Sequence, residues 1–161
     1  MEHPTLTETD QVVCINEGVY SGSLTYGKIY QFTFFDNNKR QYKIKDDKNK
    51  SRWYPTYCFD AASVLVPHIV DIQFDEPEYM SSNAIDVTIT FNDGHQRWCT
   101  FITPDIMKNL DGEFIVEGSQ LFFYGNPHLI IVSELSDRFI KESVSYITKH
   151  GKIIESTLLL K

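Results

Sequence analysis

The segment Ile85-Asp86-Val87-Thr88-Ile89-Thr90-Phe91 alternates apolar and polar residues without a break. After Asn92-Asp93-Gly94-His95, a second strand-like run follows, Gln96-Arg97-Trp98-Cys99-Thr100-Phe101-Ile102. Successive side chains of a strand point to opposite faces, so a period of two means one buried face and one wet face. Asp-Gly between such runs is a strong short-range hairpin signal. The middle of the chain is therefore committed to an antiparallel sheet.

The rest of the second half fits around that hairpin. Ile69-Val70-Asp71-Ile72-Gln73-Phe74 alternates and predicts a strand, and residues 75–83 predict a loop. Thr103-Pro104-Asp105 predicts the start of a short helix, with Thr103 as cap and Pro104 in the first turn. Leu121-Phe122-Phe123-Tyr124 and Leu129-Ile130-Ile131-Val132 predict a strand pair around Gly125-Asn126-Pro127. Ser136 to His150 predicts the one long helix. Ser136 caps it, Asp137 suits its positive end, Ile140, Val144 and Ile147 form its buried stripe, and Gly151 stops it.

The first half predicts five short strands joined by tight polar turns. They are Gln11–Ile15, Lys28–Phe34 with Tyr30, Phe32 and Phe34 spaced by two, Arg40–Lys45, Arg52–Tyr54 ended by Pro55, and a closing strand over Ala61–Val66. Five such strands in about 65 residues suit a small closed barrel. The expected fold class is mainly β with an α+β second half: a barrel over 1–66, then an acidic α+β domain over 67–161. The latter holds an antiparallel sheet with one short and one long helix.

Val13-Cys14-Ile15, then Leu24-Thr25-x-Gly27-Lys28-x-Tyr30, then Tyr42-x-Ile44-x-Asp46-Asp47 and Tyr54-Pro55-x-x-x-Phe59 resemble a Src-homology-3-like barrel of short bacterial and phage proteins. The resemblance implies a fold and says little of function, because one fold hosts many activities. The second half loosely resembles proteins of bacterial conflict loci, toxin-immunity or prophage. It carries their Arg-Trp-x-x-Phe strand, Thr-Pro helix start and His-Leu-Ile-Ile-Val-Ser strand.

Charge divides the chain as the strand pattern does. Residues 1–65 hold eight acids and eight bases, whereas 66–161 hold fourteen acids and seven bases. The overall charge of −7 argues against a general nucleic-acid binder, which needs cations to neutralise phosphates. Three dispersed cysteines, Cys14, Cys58 and Cys99, read as reduced thiols of a cytoplasmic protein. No secretory signal and no membrane-length apolar run is expected.

The sequence holds no phosphate loop, dinucleotide fingerprint, nucleophile elbow or paired-histidine zinc motif. No catalytic residue, cofactor or metal site is predicted. Cys99 and His128 would suit a nucleophile and its base, but a buried core thiol and a strand-end histidine are the plainer reading. Asp71, Asp75, Glu76 and Glu78 form an acidic cluster. It suits a solvated loop first and a docking surface for a basic partner second. Trp53, Tyr54 and Tyr57 suit hydrophobic core first and a proline-rich peptide groove second. The basic set Lys39, Arg40, Lys43, Lys45, Lys48, Lys50 and Arg52, interleaved with aromatics, marks the wet face of a barrel or a nucleic-acid surface.

The leading expectation is a non-enzymatic cytosolic protein that acts by occupying a partner protein, as an immunity protein or inhibitor does. Asp75, Glu76, Glu78, Tyr79, Trp53, Tyr54 and Tyr57 are the candidate partner-binding residues. The expected partner is a basic toxin, nuclease or defence protein. A nucleic-acid- or nucleotide-binding barrel comes second, and a small enzyme around Cys99 and His128 third.

Overall fold

The computed structural model describes residues 10–75, 84–105, 113–114, 121–122 and 128–160. The chain divides into two compact units: residues up to Val66 with 149–151, and Pro67–Thr148 with 152 onward. The fold is mainly β with few helices. Among the described residues no helix is long and apolar enough to cross a membrane.

The first unit is a five-stranded antiparallel sheet. Its strands are β1 (Gln11–Cys14), β2 (Ile29–Asp36), β3 (Gln41–Lys45), β4 (Ser51–Pro55) and β5 (Phe59–Ala61), in the order β4-β3-β2-β1-β5. A 3-10 turn, Thr56–Cys58, carries the chain from β4 to β5, which returns to pair with β1. The last strand thus lies at Phe59–Ala61 and not at the expected Ala61–Val66, of which only Ala61 is in a strand, and it pairs with β1 and not with β4, so the sheet does not close into the expected barrel. Cross-strand pairing decides this, because Cys14 and Val12 face Phe59 and Ala61.

A β-bulge interrupts the even spacing of β2. Phe32 pairs with Ile44 but Phe34 pairs with Lys43, so Thr33 is the extra residue. A bulge re-aims the side chains after it. Tyr30 is therefore buried and Phe32 half-buried, while Phe34 stands out, 61% exposed. The core collects Val12, Cys14, Leu24, Ile44, Tyr54, Cys58 and Phe59. Its rings meet edge to face, Tyr20 on Tyr54 at 5.2 Å and Tyr42 on Phe59 at 5.9 Å.

The β3–β4 turn is built on two carboxylates. Asp46 is buried and accepts from the Lys48 and Lys50 amides, both at 2.9 Å, and from Tyr54 Oη at 2.8 Å. Burial pushes its pKa up, but these bonds and Arg52 outweigh it and hold the carboxyl below its usual range. Asp47 accepts from Thr25, Lys28 and Tyr30 in the same way.

The second unit holds β6 (Ile69–Phe74), β7 (Ala84–Phe91), β8 (Gln96–Ile102) and β11 (Leu129–Ile131), in the order β11-β8-β7-β6. The β7–β8 hairpin turns at Gly94, whose φ of +83° is the conformation the Asp-Gly pair foretold. Ile85, Val87, Ile89 and Phe91 of β7 are buried, together with Cys99 and Phe101 of β8. Onto them pack Ile140 and Val144 of helix α1 (Asp137–Lys149) and Ile153 of α2 (Ile153–Ser156). Ser136 Oγ accepts from the Phe139 amide at the start of α1. The stripe is Ile140, Val144 and Thr148, with Ile147 only partly buried.

The expected strand pairing in this half is corrected. β11 does not pair with the Leu121 segment; it runs parallel to β8, from Leu129 beside Thr100 to Ile131 beside Ile102, so the sheet is not wholly antiparallel. Leu121–Phe122 (β10) pairs instead with Glu113–Phe114 (β9). Local composition marks a strand but does not name its neighbour. The short helix expected after Thr103 lies outside the described residues beyond Asp105, and Pro104-Asp105 form a turn. β12 (Leu158–Leu159) pairs antiparallel with β8.

Candidate functional site

The first unit carries an open groove of about 630 Å³. Phe59 lies buried in it, Tyr42 and Pro55 are half-buried, and Tyr57, Lys39, Arg40 and Asp60 are exposed. Two local structures place these groups. The β2–β3 turn brings Lys39 and Arg40, and its geometry is set by the Lys39 amide donating to Asp36 Oδ1 at 3.0 Å. The 3-10 turn after β4 brings Tyr57, and the Thr56 amide donates to the Arg40 carbonyl at 2.9 Å. That bond ties the cationic turn to the aromatic one.

Arg40 has φ of +51°, the left-handed region where a side chain is strained. Among the described residues neither Lys39 nor Arg40 has an ion pair. The groove is therefore a half-polar trough lined by aromatic rings and by two cations that have no ion pair among the described residues. It can take an extended chain against its rings and hold an anion at its edge.

A second aromatic surface lies on the outer face of β2–β4. Phe34 pairs with Lys43 and Lys43 with Trp53. Phe34 meets Trp53 edge to face at 5.9 Å, and Lys43 Nζ lies 6.0 Å from the Trp53 ring centre. Trp53 is exposed, in keeping with this position.

The remaining candidate residues fall in different places. Tyr54 is only 1% exposed, and its hydroxyl is spent on Asp46. This corrects its assignment to partner binding, because no partner reaches a ring sealed in the core. Asp75 is exposed at the end of β6, whereas Glu76, Glu78 and Tyr79 lie outside the described residues. Sequence reading set Lys39 and Arg40 on one basic face with Lys43 and Lys45, a wet face or a nucleic-acid surface, and missed that they line a groove with Tyr57. Only the turn positions flanking Gln41–Lys45 hinted otherwise.

Cys99 and His128 do not come together. Cys99 faces the core with Val87 opposite it, while its neighbour Trp98 points to the other face and lies tilted against His128, ring centres 4.5 Å apart. Burial pushes the Cys99 thiol up to about 12, and likewise Cys14 to about 11 and Cys58 to about 12. All three thiols are free and buried. A thiol-reactive chromogen at neutral pH should thus leave all three unlabelled in the native protein and titrate them once denaturant is added. Fast labelling of any one would show that its burial is not as described.

Comparison of the chain with protein-family profiles, curated proteins and solved structures gives no match.

Proposed function

We propose that the chain is a non-enzymatic binding protein that acts by occupying a partner protein, in the manner of an immunity protein or inhibitor. The groove of the first unit would receive an extended segment of that partner. The observation that carries this reading is Tyr57, 57% exposed beside Pro55 and Tyr42 in an open trough. The ring is open to solvent although its hydroxyl bonds with Tyr20, and aromatic-lined grooves dock extended, proline-containing segments. We read the unit as an unclosed sheet of Src-homology-3-like strand order. The order β4-β3-β2-β1-β5, with a 3-10 turn before the last strand and that strand back on β1, supports this. The acidic excess of residues 66–161 would steer a partner whose surface is basic outside the segment that the groove receives. The free thiols support a reducing, cytosolic setting.

The test compares proteins captured by the tagged wild type and by Tyr57→Ala. Each candidate is then purified and titrated by calorimetry. Loss of a central anchor typically costs ~2 kcal/mol or more, about thirtyfold in affinity. Stability should fall by no more than ~1 kcal/mol, since the ring is exposed and gives up one bond with Tyr20. If both proteins capture the same set with equal affinity, the groove is not the interface and the reading falls.

The Phe34-Lys43-Trp53 row favours a second reading, a surface on which single-stranded nucleic acid stacks. It requires that a short oligonucleotide bind with steep salt dependence and be lost in Trp53→Ala.

A further inference from the structure

We infer that the segment entering the groove is acidic and extended, with carboxylates beside a proline or aromatic side chain, and that Arg40 selects it; this rests on the groove being the partner site. The backbone at Arg40 would be better served by glycine. At φ of +51° glycine carries no steric penalty, whereas arginine does. The structural task of the position is done by its carbonyl, which accepts from the Thr56 amide, and glycine would keep that bond. The fold therefore does not need the guanidinium. Yet the guanidinium lines the groove and has no acidic partner among the described residues. Lys39 stands beside it in the same condition.

The acid in the groove, Asp60, is partly spent on its own chain, since Oδ1 accepts from the Ala61 amide at 2.7 Å. Lys39 and Arg40 line the groove with Asp60, and the acid at the start of their turn, Asp36, has Oδ1 engaged by the Lys39 amide. A planar guanidinium matches a carboxylate with two parallel hydrogen bonds, which a lysine does not reproduce. A polyanion such as nucleic acid is less suited. The groove offers only Lys39 and Arg40, and residues 1–65 hold equal numbers of acids and bases, so one or two carboxylates beside a ring can be met there but a long run of phosphates cannot. The apolar part of the groove, Tyr42, Pro55, Tyr57 and Phe59, suits proline or an aromatic ring.

The experiment uses the full chain and three probes, read by fluorescence anisotropy. One is a labelled peptide of sequence Glu-Glu-Pro-Pro-Tyr-Glu-Glu, the second replaces every Glu with Lys, and the third is a short oligothymidylate. The acidic peptide should bind about tenfold or more tightly than the basic one. Arg40→Gly should weaken it about tenfold, Arg40→Lys nearly as much, and Tyr57→Ala at least as much. The melting temperature of Arg40→Gly should be unchanged or higher, because strain is relieved. If Tyr57→Ala weakens both peptides alike and Arg40→Gly changes neither, charge selection is overturned and the groove reading stands. If Tyr57→Ala changes nothing, both fall. If the oligothymidylate binds with the same dependence on Arg40, the occupant is nucleic acid and the inference is overturned.

Discussion

Phe101→Ala should destabilise the second unit by about 3–5 kcal/mol, the range for deleting a fully buried phenylalanine. Phe101 has no exposed surface and sits on β8, which pairs with β7, β11 and β12. Ile85 faces it from one neighbour and Ile130 from the other. It belongs to the cluster in which helix α1 contributes Ile140 and Val144. Removing the ring takes contacts from sheet and helix together, and packed strands on both sides leave little room to collapse into the cavity. Domains of this size are stable by only ~5–15 kcal/mol, so much of the margin would go. Phe101→Leu should cost less than half as much, since most of the volume is kept. Urea denaturation followed by circular dichroism measures both. A cost below about 1 kcal/mol for the alanine variant would mean that β8 is not the centre of this core. Arg138→Ala on α1, which removes only an exposed ion pair with Glu142, is the control and should move stability by ~0.5 kcal/mol or less.

What could be read from the sequence was what local chemistry specifies. β7 and β8 followed from strict alternation and an Asp-Gly turn, and α1 from its cap and its apolar stripe. These signals are carried by residues within a few positions of one another. What the sequence hid depends on residues far apart. Phe34 sits two positions from Phe32, but the bulge at Thr33 sends it to the outside, and only the pairing with β3 reveals the bulge. β5 begins at Phe59 because β1 accepts it there. The last turn of the chain is held by Arg97, whose guanidinium donates to Thr157 Oγ1 and to the carbonyls of Ile154 and Thr157. An arginine in an alternating strand gives no sign of a partner 60 positions away. The site was partly legible for the same reason. Tyr57 was visible as an aromatic after a proline, whereas Tyr54 looked the same and is core. Their difference is a matter of phase between β4 and the 3-10 turn, which composition does not report.

The first unit should lose stability steeply in alkali. Burial pushes Cys58 up to about 12, Cys14 to about 11 and Tyr26 to about 12. Burial and the bond to Asp46 push Tyr54 to about 12, and burial raises Tyr30 as well. In the unfolded chain thiols ionise near pH ~9 and phenols near ~10. The folded state therefore holds protons that the unfolded state releases. Its stability is intact below about pH 9 and is lost as pH rises toward the folded values. A tenfold difference in proton affinity between folded and unfolded chain is worth ~1.4 kcal/mol, so even a fraction of these differences removes several kcal/mol by about pH 11. On the acid side the sign reverses. Asp46 and Asp47 are held below the usual range, because their hydrogen bonds outweigh the effect of burial, and their contribution is lost only as pH falls below about 4. Thermal melts from pH ~5 to ~11 should show a plateau with a sharp alkaline edge, and the share of tyrosinate absorbance that belongs to the buried phenols should appear only with unfolding. Tyr54→Phe should soften that edge by removing one hidden phenol. It should also lower stability at neutral pH by ~1.5–3 kcal/mol, since a bond to a buried carboxylate is lost. A melting temperature that stays level to about pH 11 would mean that these phenols and thiols are open to water, and the packed core around Tyr54 would have to be redrawn.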